Sequence, residues 1–170
     1  MEFEKLTVAR YSVRSYKSQA IPDPVLEKVL EAGRLAPTAA NRQAFRILVI
    51  HTAGREEELK RIYGRDWFVQ APVVIAVCAL TDRCWVRADG KSYCDVDAAI
   101  VMDHLILAAA DQGLGSCWIG AFDAPAAREV LGLPDSVEPI AFTPLGYAAD
   151  SPGRKKRRPL DDLVRFENWS

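Results

Sequence analysis

Apolar residues recur along this chain with two periods, and the changes of period mark its elements. Phe3, Leu6 and Val8, set among charged residues, predict a short amphipathic helix over 3–9. Val25, Leu26, Val29, Leu30 and Ala32 follow at helical spacing behind Pro22-Asp23-Pro24. There Asp23 suits the N-cap, Pro24 the first helical position and Pro37 the stop. Residues 45–50 (Phe-Arg-Ile-Leu-Val-Ile) read as a strand, and 55–63 as a charged surface helix ending at Gly64. Residues 73–80 are almost continuously apolar and valine-rich, which predicts a strand covered on both faces. The longest helix is expected over 93–112 with Gly113 closing it, and its apolar positions cover more than one face. Such a helix belongs at once to the core and to an interface. Residues 113–120 read as a glycine-punctuated strand. A short helix capped by Asp123 and closed by Gly132 comes next, then a last core strand over 137–147, interrupted by Pro139 and Pro144. The pattern predicts one α+β domain over 1–170 with a mixed or antiparallel sheet of about four or five strands.

Composition narrows the function. The 170 residues are 49% hydrophobic and 26% charged, enough for one sizeable core and unlike a disordered or fibrous chain. Twenty-two basic and 23 acidic residues leave a net charge of −1, so no global field draws nucleic acid or an anionic membrane. Met1-Glu2-Phe3-Glu4-Lys5 begins no signal-peptide pattern, and the apolar runs fall short of the ~20 residues that span a bilayer. Cytoplasm is the expected location. The cysteines at 78, 84, 94 and 117 form no Cys-x-x-Cys pair, and neither His51 nor His104 stands at metal-ligand spacing from one. Reduced thiols and no metal are the expectation.

Three polar clusters carry candidate chemistry. Arg10-x-Ser12-x-Arg14, if extended, presents two guanidiniums and a hydroxyl on one surface, suited to phosphate or to a carbonyl-rich ring edge. Residues 36–43 (Ala-Pro-Thr-Ala-Ala-Asn-Arg-Gln) pair small residues, which admit a flat ligand, with amides that match heterocycle edges. The basic run 154–158 suffices to clamp one small anion. Each also has a plain reading, as an ordinary loop or a solvated charge run.

In this order the clusters resemble the nitroreductase family of flavoproteins over nearly the whole chain. The matching stretches are 10–16 (Arg-Tyr-Ser-Val-Arg-Ser-Tyr), 36–43, 113–120 (Gly-Leu-Gly-Ser-Cys-Trp-Ile-Gly), and Leu145-Gly146-Tyr147 followed by the basic run. The resemblance implies a three-layer α+β homodimer built on the long central helix, with FMN at each of two subunit interfaces and NADH or NADPH as co-substrate. By similarity Arg10, Ser12, Lys155 and Arg157 hold the phosphate and ribityl end, with Tyr11 in the same stretch, and Arg14 approaches the pyrimidine edge. The 38–43 loop of the partner chain contributes Thr38, Ala39, Gln43 and above all Asn41, preceded by Pro37. Gly120 and the backbone around Ile119 lie near flavin N5.

The chain departs from the family pattern in three ways. Thr38 stands where many relatives have Ser, and Ala44-Phe45 where they have Pro-Trp. No counterpart is found for an asparagine that relatives place on the flavin edge. The helical excursion that often walls the substrate pocket is missing. The expected activity is electron transfer from NAD(P)H to an electron-poor small molecule such as a nitroaromatic, quinone or enone, with no side-chain acid and Cys117 as a structural thiol. The alternatives are a flavin carrier or redox sensor, a dehalogenating or flavin-consuming relative, and a nucleic-acid module using residues 154–158.

Overall fold

The computed structural model describes residues 2–169; Met1 and Ser170, the ends of the expected domain, lie outside them. Seven helices surround one four-stranded sheet: α1 (Phe3–Ala9), α2 (Asp23–Arg34), β1 (Phe45–His51), α3 (Glu56–Ile62), α4 (Asp66–Gln70), β2 (Val73–Leu80), α5 (Cys94–Asp111), β3 (Gly115–Ser116), α6 (Ala124–Leu131), β4 (Val137–Gly146) and α7 (Leu160–Leu163). The strand order is β1-β2-β4-β3, and every ladder is antiparallel. The one parallel contact among the described residues is an isolated bridge from Ser12 to Ser116.

β2 shows why three layers form. All eight of its residues are buried. Successive side chains point to opposite faces, so Val73, Ile75 and Val77 pack beneath α2 and α5. Val74, Ala76 and Cys78 pack with Leu59, Phe68 and Ala127 of α3, α4 and α6 on the other face. Burial on both sides removes the polar alternation of a half-exposed strand, which is why the run reads as continuously apolar.

Several boundaries differ from expectation for local reasons. Pro22, extended at φ −62° and ψ 138°, takes the N-cap of α2, and its carbonyl accepts from the amides of Val25 and Leu26. Asp23 therefore makes no capping bond and lies inside the first turn, where its charge suits the helix dipole. The prolines of β4 do not interrupt it. A bulge at Val77/Cys78 shifts the register so that Ala141 and Pro139 face consecutive residues and Ile140 is skipped. In the glycine-punctuated stretch only Gly115–Ser116 is strand, although Ile119 still exchanges two backbone bonds with Phe142. Asp123 caps α6 through the Ala126 amide, and Gly132 ends it at φ +61°, both as expected.

The cysteine expectation is overturned. Cys84 and Cys94 form a disulfide, and Cys78 and Cys117 are buried free thiols. Residues 84–94 form a hairpin: Arg87 N–H donates to Lys91 O, Val86 bridges Ser92, and Tyr93 N–H donates to Trp85 O. In that register Cys84 faces Cys94, with Cα atoms 5.3 Å apart. A separation of ten residues becomes a cross-strand pair once Gly90 turns the chain at φ +87°. Trp85 and Tyr93 pack edge to face beside it. Among the described residues no helix is long and apolar enough to cross a membrane, and no group of three or more His, Cys, Asp or Glu could hold a metal.

Candidate functional site

The segment 10–17 leaves α1 and is tied down by backbone bonds. Val13 N–H donates to Ser116 O, Lys17 N–H to Tyr147 O, and Ala149 N–H to Ser15 O. Gly115 allows the close approach, because a Cβ there would lie 2.6 Å from Cγ2 of Val13. Arg10, Ser12 and Arg14 thus project from a backbone anchored at residues 13, 15 and 17. Arg10 lines a small cavity of about 160 Å³ with Tyr11, Gly113, Gly115 and Ser116.

The basic run joins this cluster. Lys155 Nζ donates to Thr7 O at the C-terminal end of α1 (2.7 Å). Its pKa lies below the usual lysine range, first because of desolvation and then because Arg10 and Arg157 crowd it with like charge. Three cations gathered at one place repel one another, and an anion between them relieves that. Cys117 lies behind them. Burial lifts its thiol, while Arg14, a hydrogen bond with Ser12 and Arg10 pull the other way. Cys117 is a buried free thiol.

The 38–43 loop lies elsewhere. Ala40, Asn41 and Gln43 have φ of +50°, +51° and +50°, a region disfavoured for non-glycine residues by roughly 1–2 kcal/mol each. Strain of this kind persists only where surrounding contacts enforce it. Thr38 Oγ1 accepts from Gln43 N–H (3.0 Å), Gln43 Nε2 donates to Asn41 Oδ1 (3.1 Å), and Asp97 Oδ1 accepts from Ala39 N–H (2.9 Å). Asn41 and Gln43 are exposed, and Pro37 precedes them, also exposed.

Asp97 was not legible as a site residue. It is 2% exposed, and its Oδ2 has no hydrogen-bond partner among the described residues. Replacing it with Ala removes the loop's anchor on α5, a buried bond of about 1–3 kcal/mol. Trypsin is then expected to cut after exposed Arg42 roughly 5- to 100-fold faster than in the parent. An unchanged cleavage rate would show that the loop keeps its shape without Asp97.

Near the proposed N5 position the assignments separate. Ile119 is buried, and its N–H already donates to Phe142 O (2.8 Å). Gly120 is exposed, its amide makes no hydrogen bond among the described residues, and a Cβ there would meet nothing within 4 Å. Gly120 is thus the open donor of the pair.

Asp97, which bonds the 38–43 loop, and Ala110, which lines the Arg10 cavity, mark the two halves along α5. Thirteen residues separate them, about 20 Å at the helical rise. One chain therefore brings Arg10, Ser12, Arg14, Lys155 and Arg157 together, and holds Thr38, Ala39, Asn41 and Gln43 at the opposite end of the same helix.

The nitroreductase-family sequence profile matches residues 7–65 and 60–147. The chain belongs to the nitroreductase family. Membership places it among FMN-dependent oxidoreductases that draw on NAD(P)H. A crystal structure of a nitroreductase family protein from Clostridium difficile 630 is similar over 99% of this chain and 100% of that one, with 37% identity and a TM-score of 0.92. An NADPH-dependent oxidoreductase of Staphylococcus aureus is 28% identical, over 96% of this chain and 72% of its own length. A structure described as an oxidoreductase containing FMN shares the fold, with a TM-score of 0.83 at 22% identity, over 100% of this chain and 94% of that one. The nitroreductase fold expected from the motifs is thus the fold observed, with four strands and helices on both faces.

Proposed function

We propose that two copies of this chain pair along α5 and bind FMN at two shared sites, reducing an electron-poor small molecule with electrons from NAD(P)H. The observation that carries this reading is the separation of the two halves by the length of α5. An antiparallel second copy sets the cation cluster of one chain beside the 38–43 loop of the other. Isologous two-fold pairing then yields two equivalent sites.

The surface supports pairing. Val96, Ile100 and Leu107 leave an incompletely buried stripe on α5. Beside it a groove of about 600 Å³ runs between α1 and α5, lined by Phe3, Leu6, His104 and Leu107. The C-terminal segment exposes Leu160, Leu163, Phe166 (83%) and Trp169 (91%), apolar side chains of the kind that a contact with a second copy would cover. The outer edge of β1 is unpaired among the described residues, beside a groove in which Leu30, Ile47 and Val49 are rimmed by Glu27, Lys28, Glu31 and Arg34.

The residues fit the cofactor. Arg10, Lys155 and Arg157 supply positive charge for a phosphate dianion, and Ser12 adds a hydroxyl donor. Arg14, exposed and on the same strand face, suits the oxygen-rich pyrimidine edge, where a cation favours the reduced ring. Asn41 and Gln43 offer donors and acceptors from the partner copy. Gly120 presents an unencumbered N–H and, having no side chain, leaves a face open for a planar nicotinamide or acceptor. When bound, FMN supplies the two-electron chemistry that links nicotinamide oxidation to reduction of a nitroaromatic, quinone or conjugated carbonyl. A nicotinamide-driven reaction fits the expected cytoplasmic location.

Titrating flavin-free protein with FMN tests the reading. Fluorescence quenching is expected to saturate at one FMN per chain, in a particle with the mass of a dimer. Saturation at one FMN per monomeric particle, or no binding, would overturn the shared site.

A further inference from the structure

A carboxylate stands beside the cation cluster, where charge alone would weaken the binding of a phosphate. Asp150 is half-buried, and both of its side-chain oxygens are engaged. Oδ1 accepts from the Tyr11 hydroxyl (3.1 Å), which also donates to the Asp150 carbonyl (2.9 Å). Oδ2 accepts from the backbone N–H of Arg14 (2.8 Å). These contacts span 136–139 residues of sequence. They fasten the chain's exit from β4 to the strand carrying Arg10, Ser12 and Arg14. The Tyr11 phenol is held in its neutral, donating form, first by burial and then by Asp150 itself.

The stretch of chain beyond Asp150 is the part that needs such a latch. Residues 151–159 belong to no helix or strand. Among the described residues, no backbone hydrogen bond ties 151–158 to the rest of the chain, and the tie that is made is Lys155 Nζ to Thr7 O. The run carrying Lys155 and Arg157 is therefore fixed at its origin: Tyr147 and Ala149 bond the 15–17 stretch through the backbone, and Asp150 makes the last tie before the run, to Tyr11 and Arg14. Releasing that origin would leave the cations present but disordered, so that ordering them would oppose anion binding.

We propose that Asp150 is a positioning residue of the phosphate clamp, a latch that aligns the 10–14 strand with the 154–158 run. The assignment rests on the FMN reading. It gives the carboxylate's geometry precedence over its charge, and the two effects have opposite signs. Asp150→Asn removes a negative charge from beside a dianion, which on charge alone would tighten FMN. As a latch, the same change replaces two charge-assisted bonds by neutral ones, because Oδ1 of the amide can accept from Arg14 N–H only if Nδ2 turns to donate to the Tyr11 hydroxyl. Losing charge assistance from two bonds corresponds to roughly a tenfold loss in affinity.

The experiment measures Kd for FMN and for riboflavin, which lacks the phosphate, on wild-type, Asp150→Asn and Tyr11→Phe proteins, with circular dichroism as the folding control. The expected result is about a tenfold or greater loss of FMN affinity in Asp150→Asn, a smaller loss in Tyr11→Phe, and in both a riboflavin loss well below the FMN loss. Tyr11→Phe keeps the test decisive if Asp150→Asn does not fold, because it removes one side of the latch while keeping the Asp150 charge and its bond to the Arg14 amide. Equal or tighter FMN binding by the variants overturns the assignment, as does an equal loss for both flavins. A wild-type protein that binds neither flavin overturns the cofactor reading, and the latch with it.

Discussion

Replacing Lys155 and Arg157 together with alanine is expected to strip FMN from the protein while leaving the fold intact. Charge-assisted bonds to phosphate stabilise a complex by about 1.5–3 kcal/mol each, so losing two corresponds to about 3–6 kcal/mol, or roughly 100- to 10,000-fold in Kd. The fold is spared because neither side chain supports the core. Among the described residues Lys155 bonds only Thr7 O, and Arg157 only the adjacent Lys156 carbonyl. Removing like charge from beside Arg10 also relieves repulsion in the empty protein. Flavin content after purification and Kd by fluorescence quenching would measure the effect. FMN retained at wild-type affinity would show that the phosphate lies elsewhere.

Mixing two inactive variants gives the second large effect. The Lys155→Ala/Arg157→Ala chain keeps an intact 38–43 loop. Ala40→Pro keeps the cation cluster but cannot adopt the φ of +50° on which the loop depends, because proline is held near −65°. Each homodimer lacks a complete site. In a heterodimer both defects fall in one site, and the other is assembled from the two intact halves. Equal, random mixing makes about half the dimers hybrid, so FMN capacity is expected to recover to about a quarter of the wild-type value. Recovery no greater than the sum of the separate variants would place both halves of the site in one chain.

Much of this fold is legible in the sequence because it depends on local periodicity. The continuous apolar run of β2 matches its burial on both faces, and the many-sided apolar α5 matches a helix that packs on α2, on the sheet and along a still-exposed stripe. Asp123 and Gly132 bound α6 by chemistry confined to one turn. The five-residue α4 is not legible because so few positions establish no period. The Cys84–Cys94 bond escaped because spacing along the chain does not report the hairpin register that pairs them, although the turn at Gly90 was a usable signal.

The site shows the same division. Arg10, Ser12 and Arg14 share one extended stretch, so alternation alone places them on one face, and Lys155 and Arg157 announce themselves by charge density. Asp97 and Asp150 do not. As the fourth residue of α5, Asp97 reads as a complement to the helix dipole, and its bond to Ala39 depends on packing across 58 residues. Asp150 reads as one polar residue in a polar turn until the fold brings Tyr11 and Arg14 to it. The left-handed residues of the 38–43 loop were hidden as well, because alanine at such a position runs against local preference.

The proposed function is tested most directly by the absorbance spectrum of the purified, FMN-loaded protein during anaerobic addition of NADH and then NADPH. The predicted result is flavin bands that bleach with at least one nucleotide and return when a quinone or nitroaromatic is added. Flavin bands that neither nucleotide bleaches, or a protein that cannot be loaded with FMN, would contradict it.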